Sequence, residues 1–443
     1  MFSYSMFSYY CLLGLRSLRR NPALTALMVL TLAIGVAASV STLTILHVMS
    51  SNPIPNKSTR LFVPVVDNGG LDGYNPQSEE RSDPQATYID AVNLMKGGHG
   101  ERRTVLYGIS APIEPARADL PVMQARGIAP TRDFFGMFDV PFKYGQPWSE
   151  ADERAGADVV VLSEALADKL FGAVDPVGKR IRMLNGDFQV VGVLKPWLPV
   201  PKFYRLIGGG GAFSDEDDIM LPFATAIRHE TGHEGSMSCR GRVEAGWQGL
   251  LKSECTWLQI FFETKTAADR AELQDYLNNY AADQRKLGRL KRNQPYQLYD
   301  VMQWLEFRKV VANDSRLSAW LAFGFLLLCL VNTIGLLLAK FSVRAAEVGI
   351  RRALGASRRE IFQQFLTETA VVGLVGGVLG LVLAFGALAL IGMQSKQLQV
   401  VAHMDWKMLG VTFVMALAAA VLAGLLPTWR ACQVTPAMQL KSQ

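Results

Sequence analysis

The sequence predicts an α+β membrane protein: four transmembrane helices, with a large extracytoplasmic α/β domain inserted between the first and the second. Three observations predict it. Four apolar runs, at 23–48, 317–341, 370–391 and 408–426, are long enough to cross a bilayer, which takes about 20 residues. Between the first two lie about 270 residues of ordinary globular composition, enough for one or two folded domains. The whole chain, 443 residues and 50% hydrophobic with mean hydropathy +0.17, falls between a water-soluble protein and one embedded throughout.

Taken in order, residues 1–21 read as an interfacial helix on the inner leaflet. The stretch 5–20 (SMFSYYCLLGLRSLRR) mixes aromatic, aliphatic and basic side chains just before Asn21-Pro22. The first span, 22–49, is too long for a signal peptide, and Pro53-Ile54-Pro55 supplies no small-residue cleavage motif, so it is expected to stay as an anchor. Positive charge then orients the chain. Arg16, Arg19 and Arg20 precede the first span, and Arg344, Arg351, Arg352, Arg358 and Arg359 lie between the second (317–341) and third (370–392). The 393–407 loop has only Lys396 and Lys407. Both termini, including the 427–443 tail, and the 342–369 loop are therefore expected in the cytoplasm, and 50–316 outside it. The net charge of +6 is modest and partly these flanks, which gives little support to nucleic acid as a partner.

The outer domain opens with a strand-like run at 60–66 (RLFVPVV) after a Pro-punctuated linker, and 67–86 reads as loop. A helical period covers 86–95, and strands are expected at 105–109 and 122–128. Residues 131–140 (TRDFFGMFDV) read as a helix capped by Thr131. A buried strand at 158–162 leads into a helix at 163–171 capped by Ser163. Strands at 181–184 and 188–193 are expected to form a hairpin with its turn at Asn185-Gly186. Residues 205–256 are Gly/Ser-rich and polar, and a strand at 256–263 and a helix at 267–280 resume the core. Residues 281–316 are charged and helical in period, as expected of a stalk running to the second span.

Two motifs invite chemistry. His229-Glu230-Thr231-Gly232-His233 is a literal H-E-x-x-H, which in a zinc peptidase sets two imidazoles on one helix face with the Glu activating water. Gly232 and Gly235 disfavour that helix, and Glu254 is the one sequence-plausible third ligand, so loop residues without a metal are the expected reading. Residues 172–180 (GAVDPVGKR) have the wrong spacing for a P-loop and no Ser/Thr after Lys179. Cys239 and Cys255 share the outer compartment, where oxidation would join them, whereas Cys11, Cys329 and Cys432 do not.

The 342–369 loop is a basic amphipathic segment. Val343, Ala346, Ile350 and Ala353 fall on one helical face, and Arg344, Glu347 and Arg351 on another. Gly355 would end that helix and Ser357 would cap the next. By these residues alone it is either an interfacial connector or an elbow that transmits force. Gly373/Gly377 and Gly376/Gly380 permit close helix contact within one subunit, against the second or fourth span. A contact between subunits falls more naturally to the second span and to the first, with its Gly35 and Ser39, and Asn332 is expected to bond a neighbouring helix.

The pattern N-x-x-x-L-L-L-A-K, E-V-G-I-R-R-A-L-G-A-S, Q-x-L-T-E-T and G-x-x-x-G-G resembles the permeases of the MacB/FtsX/LolC-type ABC transporters. So do the exit LLPTWRACQVTPAMQL and the opening LRSLRRNPALTALMVLTLAIGVAASVS. In the outer domain, FFGMFDVPFKYGQPW and VVVLSEALADKLFGAVDPVGKRIRMLNGDFQVVGVL are similar to the MacB-type periplasmic domain. The resemblance implies a porter-like subdomain at 57–128 and 255–300 and a sabre-like one at 129–227, with 228–254 as an insertion that has no counterpart. It also implies that Arg344, Glu347, Gly349, Ile350, Arg351, Arg352, Leu354 and Gly355 form a coupling helix seated on an ATPase.

The function so implied is a permease subunit in a bacterial inner membrane, not an enzyme, that works by mechanotransmission in export or efflux. Its partners would be two copies of a separate ABC ATPase, which carries the ATP and Mg, and a second permease, identical or homologous. A periplasmic adaptor is a further candidate partner. No catalytic, cofactor or metal site is expected on this chain. The alternatives are an FtsX-like regulator of an extracytoplasmic hydrolase, a ligand sensor and, more remotely, the zinc peptidase.

Overall fold

The computed structural model describes residues 22–72, 74–75, 84–117, 119–207, 211–311 and 313–394, with residues 410, 411, 414, 418, 421, 425, 428 and 429. The expected helix at 1–21, the loop beyond Gln394 and most of the 408–426 span and 427–443 tail lie outside the described residues, with Cys11, Cys432 and the charges on those segments. The chain divides into an α/β unit, Ser50–Val310, and a helical unit built from the segments on either side.

Helix α1 (Pro22–Met49) starts at a proline, whose missing N–H costs nothing in a first helical turn. The α/β unit then runs β1 (Leu61–Val65), β2 (Ala86–Thr87), α2 (Tyr88–Lys96) and β3 (Arg102–Leu106). Only Tyr107 separates β3 from β4 (Gly108–Glu114), and the chain changes sheet there. Next come β5 (Met123–Ile128), α3 (Asp133–Met137), β6 (Phe142–Gly145), α4 (Glu150–Ala155), β7 (Val159–Leu162) and α5 (Glu164–Phe171). The second sheet is finished by β8 (Arg180–Met183), β9 (Gly186–Leu194), β10 (Ile219–Met220), α6 (Phe223–Arg228) and β11 (His233–Glu234). The chain returns through α7 (Trp247–Lys252) to β12 (Thr256–Glu263), α8 (Arg270–Lys286), β13 (Gln297–Asp300) and α9 (Val301–Phe307).

The first sheet has the order β13-β1-β12-β2, with β3 also on β12, and all its pairs are antiparallel. Every residue of β12 is buried, as befits a strand covered on both faces. The second sheet has the order β11-β4-β5-β10-β7-β9-β6, with β8 on β4 and β9. It is mixed: β7 and β9 run parallel because α5 lies between them, and β5 and β10 are parallel as well. Two apolar clusters join the sheets. One holds Phe62 and Trp257 with Val160 and Phe188, the other Leu61 and Phe261 with Phe134 and Val161.

Four expectations for this unit change. The strands at 108–114 and 123–128 belong to the second sheet, so the subdomain boundary falls at Tyr107 and not after 128. The hairpin turn is Leu184-Asn185, both at positive φ (49° and 58°), and Gly186 already pairs with Met183. Thr131 does not cap α3, because its hydroxyl donates to Thr104 Oγ1 at 2.9 Å. Residues 281–316 are not one helical stalk: α8 ends at Lys286, and β13 then joins the sheet beside β1.

In the helical unit, α1 is followed by α10 (Asn313–Val343), α11 (Ala345–Ala353) and α12 (Arg358–Gln394). Among the described residues, α1, α10 and α12 are long and apolar enough to cross a membrane. At 37 residues α12 measures about 55 Å, well beyond a hydrocarbon core of about 30 Å. Helix α1 packs against both of the others. A Cβ on Gly376 would meet Leu32 at 2.9 Å, and one on Gly380 would meet Val36 at 2.9 Å and Ala33 O at 3.0 Å. Gly373 and Gly377 are buried on the same helix. On its other side Gly35 faces Cys329, where a Cβ would come within 2.9 Å, and Ser39 Oγ donates to Ala322 O at 3.0 Å.

Among the described residues the glycine stripe of α12 meets the first span, which was expected to face another subunit, and Gly35 and Ser39 make contacts within the chain. Asn332, expected to bond a neighbour, lies on the exposed side of α10. Close packing predicts the outcome of filling the stripe. Gly380→Val should destabilise the helical unit by about 1–3 kcal/mol, as overpacked cores do, and lower its melting temperature in detergent. Gly386→Ala, where a Cβ meets nothing within 4 Å, should leave that temperature unchanged or slightly raised.

Candidate functional site

Helix α10 ends at Val343, Arg344 makes the corner, and α11 follows at once. Gly355 sits at φ 100°, a conformation that a side chain would strain. Ser357 and Glu360 then open α12 with a capping box: Glu360 Oε2 accepts from the Ser357 amide at 3.0 Å, and Ser357 Oγ from the Glu360 amide at 3.3 Å. The result is an elbow of two sharp corners around one short helix.

The elbow buries one apolar side chain and one charge and holds other apolar side chains out. Val348 is buried with Met28, Leu337, Phe341, Ile361, Phe365 and Val372. On the outer side Val343, Ile350 and Leu354 are 79%, 63% and 83% exposed. The face expected to hold Val343, Ile350 and Ala353 is thus the open one. Gly349 and Arg352 are partly buried. Arg351 Nη2 lies 2.6 Å from Glu347 Oε1, and its Nη1 donates to Gln364 Oε1 at 3.0 Å, so this arginine also stiffens the elbow.

Arg344, expected on the partner-facing side, instead turns inward. Its Nη1 lies 2.9 Å from Glu368 Oε2 and 3.2 Å from Oε1. Lys340 Nζ lies 2.6 Å from Glu368 Oε1. The three side chains are 11%, 3% and 0% exposed, for Arg344, Glu368 and Lys340 in turn. Opposite charge explains the inward turn, because a buried carboxylate is tolerated only when cations satisfy it. Lys340 and Glu368 stand in the motifs N-x-x-x-L-L-L-A-K and Q-x-L-T-E-T, but neither had an assigned role from sequence alone. A signal existed: a lysine at the end of one apolar run and a lone acid just ahead of another each need a partner.

In the α/β unit the H-E-x-x-H stretch is not helical. Helix α6 ends at Arg228, and Glu230 lies at φ 52°. His229 Nε2 is 2.6 Å from Asp158 Oδ1. His233 sits on β11 opposite Ile109, its ring 5.9 Å from that of Trp257, and burial pushes its imidazole below the ordinary value. Glu254 is held by Arg289 at 2.8 and 3.1 Å. The two imidazoles therefore stand on different elements, and the expected third ligand is engaged by a guanidinium.

Cys239 and Cys255 form a disulfide. The segment it closes is exposed at 241–246 and docked on either side of that stretch. Ser238 and Thr256 exchange two backbone bonds, Trp247 Nε1 donates to Ile227 O at 3.0 Å, and Arg289 ties Glu254 to Asp90, 2.7 Å away. A cleft of about 280 Å³ on the same unit is lined by Arg103, Arg132, Asp133, Glu150, Glu153 and Arg154, among others. There burial pushes the Glu153 carboxyl up to about 7, although Trp148 Nε1 donates to it at 2.6 Å.

Comparison with known proteins gives two family matches. Residues 25–280 match the MacB-like periplasmic core domain, and residues 319–436 match the FtsX-like permease C-terminal domain. The macrolide export ATP-binding/permease protein MacB of Bdellovibrio bacteriovorus is 26% identical over 72% of this chain and 39% of its own length. The pyoverdine export ATP-binding/permease protein PvdT of Pseudomonas aeruginosa is 28% identical over 70% and 41%. MacB of an Azoarcus species is 26% identical over 97% of this chain and 59% of its own. The chain thus spans well under two thirds of these relatives. Among solved structures, the periplasmic region of MacB from Actinobacillus actinomycetemcomitans aligns over 59% of this chain and 99% of its own, at 14% identity and TM-score 0.35.

Two outcomes follow from the α/β unit. Replacing both Cys239 and Cys255 by serine should cost about 3 kcal/mol of stability, the usual value for a loop of this size, and lower the unit's melting temperature by scanning fluorimetry. An acid whose pKa rises on folding binds more protons when folded, so stability falls as pH rises from the unfolded value near 4.5 to about 7. Glu153→Gln should therefore melt higher than the parent at pH 8 and equally at pH 4.

Proposed function

The chain belongs to the MacB/FtsX-type family of ABC permeases, and from that premise we propose that it is the transmembrane subunit through which a cytoplasmic ABC ATPase drives export by mechanotransmission. Two ATPase copies, holding ATP and Mg, act on two permeases, identical or homologous, in a bacterial inner membrane. The termini and α11 face the cytoplasm, and the α/β unit faces the periplasm, where an adaptor is a candidate partner.

One observation carries the reading: Ile350 and Leu354 stand exposed on a short helix that is fixed from behind by Val348 and by the Glu368 ion cluster. Apolar side chains held out on a rigid, otherwise charged helix suit insertion into a pocket on a partner, where a few such anchors dominate binding. Rigidity matters as much as exposure, because a push on a loose loop would be absorbed within it.

Affinity purification of the full chain from native membranes, with proteins identified by mass spectrometry, tests this. The parent is expected to bring down an ABC ATPase. Ile350→Asp with Leu354→Asp should insert normally yet recover at least about tenfold less of it. A parent that purifies without any ABC ATPase under mild detergent, or a double variant that recovers as much, would contradict the proposal.

A further inference from the structure

The buried ion cluster beneath α11 has a composition that a mere staple would not need. One carboxylate, Glu368, serves two cations, Lys340 at 2.6 Å and Arg344 at 2.9 Å. Lys340 lies on the last turn of α10, Arg344 is the corner residue before α11, and Glu368 is on α12. The three elements of the elbow therefore meet at a single side chain. Phe341 and Phe365 pack beside it with ring centroids 4.4 Å apart, and Val348 of α11 lies in the same apolar cluster.

We infer that Glu368 is the positioning residue of the elbow: its carboxylate locks α10, α11 and α12 into one body, so that a displacement of Ile350 and Leu354 reaches both long helices together. The inference rests on the reading of α11 as the ATPase-facing helix. The charge count gives the lock its strength. The Glu368 carboxylate lies within ion-pair distance of both cations. Replacing it by an uncharged group of the same shape takes away the anion that Lys340 and Arg344 share. That leaves two like charges four residues apart in a largely buried joint, which repel each other and draw in water. Loss of one proton acceptor would thus open the corner, not merely weaken it. Neither cation alone has this leverage, since removing Lys340 leaves the Arg344–Glu368 pair intact.

The test measures the elbow directly and needs no ATPase. Nitroxide labels at Leu354 and Leu374, both exposed, are placed on the full chain in lipid nanodiscs, with Cys11, Cys329 and Cys432 replaced by alanine and the Cys239–Cys255 disulfide kept. The parent should give one narrow distance distribution by pulsed electron resonance. Glu368→Gln, nearly identical in shape, should give a broad one, and adding Lys340→Gln should narrow it again by removing the repulsion. Glu368→Asp, which keeps the charge, should stay close to the parent. An unchanged distribution in Glu368→Gln would overturn the inference. So would equal broadening in Glu368→Gln and its double variant, or in Gln and Asp alike, because shape and not charge would then hold the joint. ATPase capture is measured separately, on the unlabelled chain with Ile350, Leu354 and Glu368 intact. A chain whose distances behave as expected but which captures no ATPase would refute the proposed function and leave the lock standing.

Discussion

Close approach along one face of α1 is the constraint on which the helical unit depends. Helices in lipid gain little from hiding apolar surface, because the surrounding tails are equally apolar, and so they associate where backbones come near. Gly376 and Gly380 give α12 that access to Leu32 and Val36, while Gly35 gives α10 access through Cys329. Helix α1 is thereby sandwiched, and the ends of α10 and α12 that flank α11 are brought to a fixed separation. The short stretch between them has to span that gap, which leaves room for one small helix and two corners.

Within the α/β unit the comparable role falls to β12. It pairs with β1, β2 and β3, and its two faces feed both apolar clusters shared with the second sheet. The chain leaves the first sheet through the single residue Tyr107 and returns through the segment closed by Cys239 and Cys255. A one-residue crossing leaves no slack, so the length difference between the two passages is taken up by the returning segment. Its pairing to β4 at one end and its bonds to Thr256, Arg289 and Asp90 at the other make it part of the unit's framework.

Much of this was legible in the sequence wherever a signal is local. The Ser163 cap, the helix break at Gly355 and the capping role of Ser357 depend on neighbours within four residues, and each stands where such neighbours place it. What failed needed partners far along the chain. The glycine stripe was visible, but which helix it meets is decided by long-range packing. The Asn185-Gly186 signal slipped by one residue because the register is fixed by pairing along β8 and β9, which places Leu184 at positive φ. The helical period at 281–316 was overridden at β13, whose edge position beside β1 outweighed propensity. Thr131 lost its capping role to a bond with Thr104 on a neighbouring strand.

The two faces of the elbow were legible, but not which of them turns inward. An amphipathic pattern is ordinarily resolved by turning the apolar face inward. Here the inner side holds Arg344 and Val348, the first paired with the buried Glu368 and the second packed in the apolar cluster beside it. A buried carboxylate left alone is far more costly than a few exposed aliphatic side chains, which fits Arg344 turning in while Val343, Ile350 and Leu354 stay out. An elbow built this way is stiff because of what it buries and adhesive because of what it exposes. Those two properties are what a joint needs if a partner's motion is to be received at its surface and delivered to two helices at once.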